Sequence, residues 1–449
     1  MAAGGRRLSG GTAMSLDDRI DSFTRAARAR ADAVAAASDA LSALRAAGRD
    51  AFLAQGLPAR GNESWKYSRL GPLLEDGLLD RPRDGLPAVA GQAFEGLDSA
   101  TVSIVDGLPQ AFPEAPEGVT LTRLRDVAAD PSVAERLGTL CAATERPFVA
   151  LNGALTEDGV FIQVARDARV ELPLELVFAQ AEDAAPRGAH PRVLLVLEPG
   201  ARLTLLERQV GARNVFTNSV LEVFVGEGAQ LDHLRLALDA GAGRWLTALD
   251  VQVDAGARYG LHQALVGAAF RRNEVRVHLA APGALAEVGG ATLTRDRTHL
   301  DTQMSLEHAA PHCTSDQRFR AIAGERSRTV LNGRIHIHPH AQKTAAEFNT
   351  RNLLLSAEAE IDAKPELEIY ADDVKCAHGA TVGQLDPEGL FYLRSRGIDE
   401  VSARTMLSFA FLASIVEQFP LEPLRDGVRA ELERAFSRPA ADAPAGVAS

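Results

Sequence analysis

Residues Val193–Leu203 read VLLVLEPGARL, and the same polarity returns in LEVFVGEGAQL (Leu221–Leu231), LDVQVDAGARY (Leu249–Tyr259) and VRVHLAAPGAL (Val275–Leu285). The glycines of these blocks are Gly200, Gly228, Gly256 and Gly283, spaced by 28, 28 and 27 residues. In the first three blocks apolar residues stand seven, five and three positions before the glycine, which is strand periodicity. A fixed period of alternating strand, glycine-permitted turn and second strand such as LTLL (Leu203–Leu206) is the pattern of a coil whose inward side chains stack on those of the next coil. A parallel β-helix follows, over residues 151–385. Pro311-His312 and Pro339-His340 are weaker echoes that carry the coils toward residue 385. The competing reading, an antiparallel sandwich, calls for short Asn-Gly or Asp-Gly hairpin turns, whereas these blocks share one polarity and one turn.

The flanks are different in kind. Ser15 with Asp18 forms a capping-box pattern, and Ile20, Phe23, Leu41, Leu44 and Phe52 have helical spacing, so residues 15–80 are expected to be an N-terminal helical region. Residues 81–150, broken by Pro and Gly but holding short apolar runs such as TVSIV, are expected to be a mixed α/β connection. After residue 385 the strand period stops. Asp386-Pro387 has the form of an N-cap and first helical residue, Gly397-Ile398 that of a Schellman stop, and Asp399 that of a new cap, so 386–437 is expected to be a C-terminal helical domain. Residues 1–14 read as a flexible tail and 438–449, poor in large apolar residues, as a disordered one. The chain is thus expected to be mainly β, with a β-helix core between two helical regions.

Composition excludes several functions. With 48 Lys+Arg against 60 Asp+Glu the net charge is -12, which argues against a nucleic-acid footprint. No apolar run is long enough to span a bilayer, and a soluble, cytoplasmic protein is expected. The three cysteines, Cys141, Cys313 and Cys376, are dispersed, as a reducing cytosol leaves them, and cannot supply a four-thiolate cluster site. There is no phosphate-binding G-x-x-x-x-G-K-[ST] loop, no G-x-S-x-G elbow and no H-E-x-x-H pair.

Three groups of residues invite a metal or redox reading. His336, His338 and His340 alternate, so on a regular strand they would share one face as imidazole ligands, although Pro339 interrupts the ladder and solvent-facing solenoid positions look the same. His308, His312 and Cys313 form a looser cluster that also suits turn and surface positions. Cys376 and His378 at i and i+2 can offer a thiolate and an imidazole to one iron or to a thiol-exchange partner, or they can be ordinary packing. Small neighbours, Ala377, Gly379 and Ala380, would allow close approach there, and Gly379 suits a turn of positive φ.

The run KPELEIYADDVKCAHGATVGQLDPEGLFYLRSRGI (Lys364–Ile398) closely resembles the C-terminal motif of the SufB/SufD family of the Suf iron–sulfur cluster assembly system. ESWKYSRL (Glu63–Leu70), FVALNGALTEDGVFI (Phe148–Ile162), AQKT (Ala341–Thr344) and NLLLS (Asn352–Ser356) resemble other segments of that family. The SufB branch shares the core without the Cys-x-His-Gly-Ala-Thr run, so the resemblance is to the SufD branch. It implies a right-handed parallel β-helix and a non-enzymatic scaffold. It also implies a SufB-like paralogue bound through the β-helix, a SufC-like ABC ATPase bound through C-terminal helices, and a transient iron–sulfur cluster that the chain alone does not hold stably. By the same resemblance His378, with Cys376 beside it, lies at the SufB interface as a metal ligand for the nascent cluster. His336, His338 and His340 are not required by the family pattern. A β-helix enzyme acting on carbohydrate is the alternative, and with only 5% aromatic residues the chain offers few platforms for sugar stacking.

Overall fold

The computed structural model describes residues 14–59, 61–80, 94, 96–181, 186–211, 215–238 and 243–437. The expected tails, apart from Met14, lie outside these residues, as does most of 81–95 in the connecting region.

The N-terminal region begins with α1 (Leu16–Ala35) and α2 (Ser42–Gln55). Ser15 Oγ accepts from Asp18 N–H at 3.1 Å and Asp18 accepts from Ser15 N–H at 3.2 Å, which closes the capping box. Phe23, Ala27, Ala31 and Val34 form the buried stripe of α1. The connecting region supplies β1 (Ala100–Val105), β2 (Leu108–Pro109), β3 (Val119–Arg123), α3 (Leu124–Val127), α4 (Pro131–Ala134) and α5 (Pro147–Leu155). Helix α2 lies directly on α5 because Gly48 has no side chain; a Cβ there would stand 2.5 Å from Ala154 N.

The solenoid strands follow as β4 (Gly159–Val164), β5 (Leu174–Ala179), β6 (Arg187–Ala189), β7 (Arg192–Leu197), β8 (Arg202–Val210), β9 (Val215–Val225) and β10 (Gln230–Ala237). The series continues through β11 (Arg244–Val253), β12 (Arg258–Val266), β13 (Phe270–Leu279), β14 (Leu285–Thr294), β15 (His299–His308) and β16 (Thr314–Ala323). It ends with β17 (Arg328–Ile337), β18 (Ala345–Leu354), β19 (Glu360–Ile369) and β20 (Lys375–Gly383). They form two sheets, ordered β2-β1-β5-β8-β10-β12-β14-β16-β18-β20 and β19-β17-β15-β13-β11-β9-β7-β4-β3, with β6 pairing β9. From β4 and β5 onward the pairs are parallel. The result is the β-solenoid expected from the glycine period. Both sheets also reach N-terminal to residue 151: β1 pairs β5 in parallel and β3 pairs β4 in antiparallel. A strand's neighbour is set by which row its inward side chains complete, and for β1 that row begins with Ala100 beside Leu174.

The turns explain how the period drifts. Gly200 donates its N–H to Glu227 O, Gly228 to Ala255 O, Gly256 to Pro282 O, Gly283 to Pro311 O, His312 to Gln342 O and Lys343 to Asp373 O. Each donor has a left-handed backbone, with φ between 62° and 75°, and the first five acceptors each immediately precede the turn residue of the next coil. The equivalent of Gly283 is therefore His312, and after it Lys343. This corrects the expected echo: Pro311-His312 occupies the turn, but Pro339-His340 falls three residues short of it, because the late coils lengthen and non-glycine residues accept the left-handed turn.

Inside the coils, Leu205, His233, Leu261, Val288, Gln317, Phe348 and His378 form one inward row in register across the first sheet. The C-terminal helices are α6 (Pro387–Ser395), α7 (Glu400–Val416) and α8 (Glu422–Ser437), of which α7 and α8 cover the opposite face of that sheet. Leu412, Ile415 and Val416 of α7 and Leu424, Val428 and Leu432 of α8 pack on Leu206, Leu234, Leu236, Leu293 and Ile322. Asp386 caps α6 by accepting from Glu388 and Gly389 N–H. Gly397 N–H to Arg394 O and Ile398 N–H to Leu393 O complete the Schellman stop.

Candidate functional site

Among the described residues, no strand or helix covers the edge of the last coil. Strand β20 pairs β18 on one side and has no strand on its other side among the described residues, and β19 stands in the same position on the second sheet. Seven of the nine residues of β20 are exposed. Edge strands are usually blunted by charge, proline or an overlying element. Strand β19 carries Pro365 and five charged residues at alternate positions, whereas β20, KCAHGATVG, has Lys375 alone. The bare edge is the one bearing Cys376 and His378.

Both of these residues occupy inward positions. Cys376 is paired with Ala346 and His378 with Phe348, residues of the interior core. Cys376 is half-buried against that core, and burial pushes its thiol above the ordinary range, so sulfur remains protonated at neutral pH. His378 is exposed. The two thus share a face, with a neutral thiol toward the core and an accessible imidazole toward the open edge. Gly379 lies within β20 and is not among the left-handed glycines, which corrects the expected turn: its backbone is that of a paired strand. What its missing side chain leaves is open space, since a Cβ would meet only Asn349 Nδ2 at 3.9 Å.

A second surface lies on the helices. Phe391 is 74% exposed and Val401 75%, and Tyr392 and Met406 are exposed beside them. Much of the apolar content of 399–419 is taken up by packing on the sheet, with Leu412, Ile415, Val416 and Phe419 buried. The uncovered apolar side chains are those of α6 and the first half of α7, a distribution the sequence does not show because both faces of α7 are apolar.

The other histidines divide. His308 is buried beside Ser315 Oγ at 2.9 Å, burial lowers its pKa to about 4, and His312 forms a turn; with Cys313 packed in the core, this cluster is structural. His336 and His338 do share the outer face of the second sheet, beside Glu307, while His340 lies beyond the strand and exposed. Glu307 and His278 had no local sequence signal, since they stand one and two coils away.

A cleft of about 510 Å³ opens between the segment Asn62–Trp65, the start of α5 and the outer face of β13, β15 and β17. Its tryptophan, Trp65, is occupied: one ring contact is with Phe148, centroids 5.2 Å apart, and the Arg272 guanidinium lies 4.1 Å from its centre. Among the described residues lining the cleft, both aromatic side chains, Trp65 and Phe148, are buried. No helix among the described residues is long and apolar enough to cross a membrane.

Comparison with known proteins matches residues 178–411 to the SufBD core domain of SUF system FeS cluster assembly, and residues 20–176 to the SufBD protein N-terminal region. The chain is 32% identical over 386 residues to the iron–sulfur cluster assembly protein SufD of Escherichia coli, covering 85% of this chain and 90% of that one. It is 30% identical over 392 residues to an iron–sulfur cluster assembly SufBD family protein of Synechocystis, covering 83% and 86%. Against SufD of Bacillus subtilis the identity is 26% over 295 residues, 65% of this chain and 67% of that one.

Proposed function

The chain belongs to the SufBD family, and from that premise we propose that it is a non-enzymatic, cytoplasmic scaffold subunit for iron–sulfur cluster assembly. In this reading a SufB-like paralogue adds to the open β20 edge, and a SufC-like ABC ATPase docks on the C-terminal helices of 386–437. The nascent cluster is cargo at the paired surface, where His378 and Cys376 act as its ligands.

The observation that carries the reading is the uncapped last coil. A bare strand edge offers a row of backbone donors and acceptors for a partner strand, and strand addition is a common way to use one. The pairing would cover an inward row that now ends in solvent at His378. His378 is the exposed member of the pair, while burial holds the proton on the Cys376 thiol that must leave before sulfur can bind iron, so His378 is the primary ligand and Cys376 the secondary one. The exposed Phe391, Tyr392, Val401 and Met406 supply the apolar anchor for the ATPase.

Co-expression of the tagged chain with its own organism's SufB-like and SufC-like proteins tests this. Both are expected to co-elute with the full chain, and deletion of 386–449 is expected to lose the ATPase while keeping the paralogue. Failure of the paralogue to co-elute, or retention of the ATPase by the truncated chain, contradicts the assignment.

A further inference from the structure

We propose that Glu307, His336 and His338 bind a divalent first-row transition-metal ion on the outer face of the second sheet, apart from the Cys376–His378 edge. The parallel register places His278, Glu307, His336 and Glu368 side by side on β13, β15, β17 and β19. Their neighbours Val277, Leu306, Ile335 and Leu367 point into the core, so the four polar side chains project together outward. His338, two residues after His336, returns to the same side, and its Nε2 is 2.8 Å from Glu307 Oε1. The His336 and His338 ring centres are 4.6 Å apart.

One ligand atom from each of Glu307, His336 and His338 falls within 4.8 Å of the other two. Ligands held at about 2.1 Å around one tetrahedral ion stand about 3.4 Å apart, so side-chain movements on the order of an ångström close the set. Two imidazoles and one carboxylate form the donor set of zinc and ferrous sites with open positions, and are a poor match for magnesium or calcium, which favour all-oxygen shells.

The surroundings resemble an outer shell. His278 Nδ1 lies 3.1 Å from the second oxygen of Glu307, and Glu368 Oε2 lies 3.0 Å from His336 Nδ1, contacts of the kind that orient metal-bound carboxylates and imidazoles. Arg334 is engaged by Glu368 through two contacts, at 2.7 and 2.6 Å, and its Nη2 also stands 2.7 Å from His336 Nδ1, which leaves Nε2 of that ring as the nitrogen for an ion. Glu307 and His336 stand on paired strands and His338 lies one residue past β17, held by its N–H to His308 O at 3.0 Å, and the 510 Å³ cleft, also lined by His278, Glu307 and Arg334, gives an ion and an exogenous ligand a way in. Nothing in this arrangement depends on the scaffold reading.

The test is titration of the metal-stripped full chain with cobalt(II), followed by its visible ligand-field bands, and competition with zinc(II). One ion per chain is expected at this site. Glu307→Gln and His336→Asn are each expected to weaken it by no less than the roughly 10–100-fold that loss of an outer-shell partner costs. His378→Ala and Cys376→Ala are expected to leave it unchanged. X-ray absorption of the wild-type cobalt complex, which needs no variant to fold, is expected to show two imidazoles and no sulfur. Unchanged binding in folded Glu307→Gln and His336→Asn, a sulfur ligand, or no cobalt binding by the wild-type chain overturns the proposal.

Discussion

His378 stands one coil beyond Phe348 in the same inward row, in register with it across the β18–β20 pair, yet Phe348 is fully buried and His378 is open to solvent. This inward row therefore runs through buried side chains, mostly apolar, and ends on an exposed histidine at the edge of the sheet.

Phe348 is the floor beneath that edge. Its ring packs 5.9 Å from Phe319 and occupies the space left by Gly333, where a Cβ would lie 2.1 Å from Phe348 Cε2. Phe348→Ala is expected to cost about 3–5 kcal/mol of stability. Thermal denaturation reads the loss, and hydrogen exchange is expected to show β20 amides exchanging faster before those of β8 or β10.

The turn ladder predicts a smaller, cleaner effect. Gly256 has φ 63° and nothing within 4 Å of an added Cβ, so Gly256→Ala is penalised by backbone conformation alone. A loss of about 1–2 kcal/mol is expected in chemical denaturation with an unchanged m-value.

Stability is expected to fall as pH drops from 7 to 5. Burial lowers His190 to about 3 and His308 to about 4, against an ordinary value of 6.5. Both are neutral when folded and take up a proton below 6.5 only on unfolding, so their stabilisation is present above 6.5 and is lost as pH falls toward those values. Each contributes on the order of 2 kcal/mol of that loss by pH 5. Burial depresses His233, His262 and His299 too, with the same sign. Thermal melts across this range check the slope, and His308→Gln is expected to flatten it.

Much of the fold was legible because Gly200, Gly228, Gly256 and Gly283 mark successive turns, and because Val193, Leu195 and Leu197 alternate as an inward row must. The reading loosened where His312 and Lys343 take the left-handed turn in place of glycine, since a period carried by one residue type disappears when another accepts the same φ. Cys376 and His378 were legible as a motif, but their position on an edge depends on where the sheet stops, which no local pattern records. Glu307 could not be joined to His336 and His338 from spacing, because the late coils depart from 28 residues and lateral neighbours are fixed by register.

The α6 surface predicts a partner effect without a folding effect. Phe391→Asp is expected to reduce ATPase co-elution at least tenfold, as loss of an anchor costing about 2 kcal/mol or more would do, with the melting temperature unchanged because the side chain touches mostly solvent. Co-elution equal to wild type would place the docking surface elsewhere.

The most direct measurement is iron–sulfur cluster formation in the reconstituted three-protein system, with His378→Ala and Cys376→Ala made separately and complex assembly followed in parallel by size-exclusion chromatography. His378→Ala is expected to assemble normally and form little or no cluster, with a smaller loss for Cys376→Ala. Normal cluster formation by His378→Ala would contradict a ligand role at the open edge, and loss of assembly would make that histidine a structural element of the interface instead.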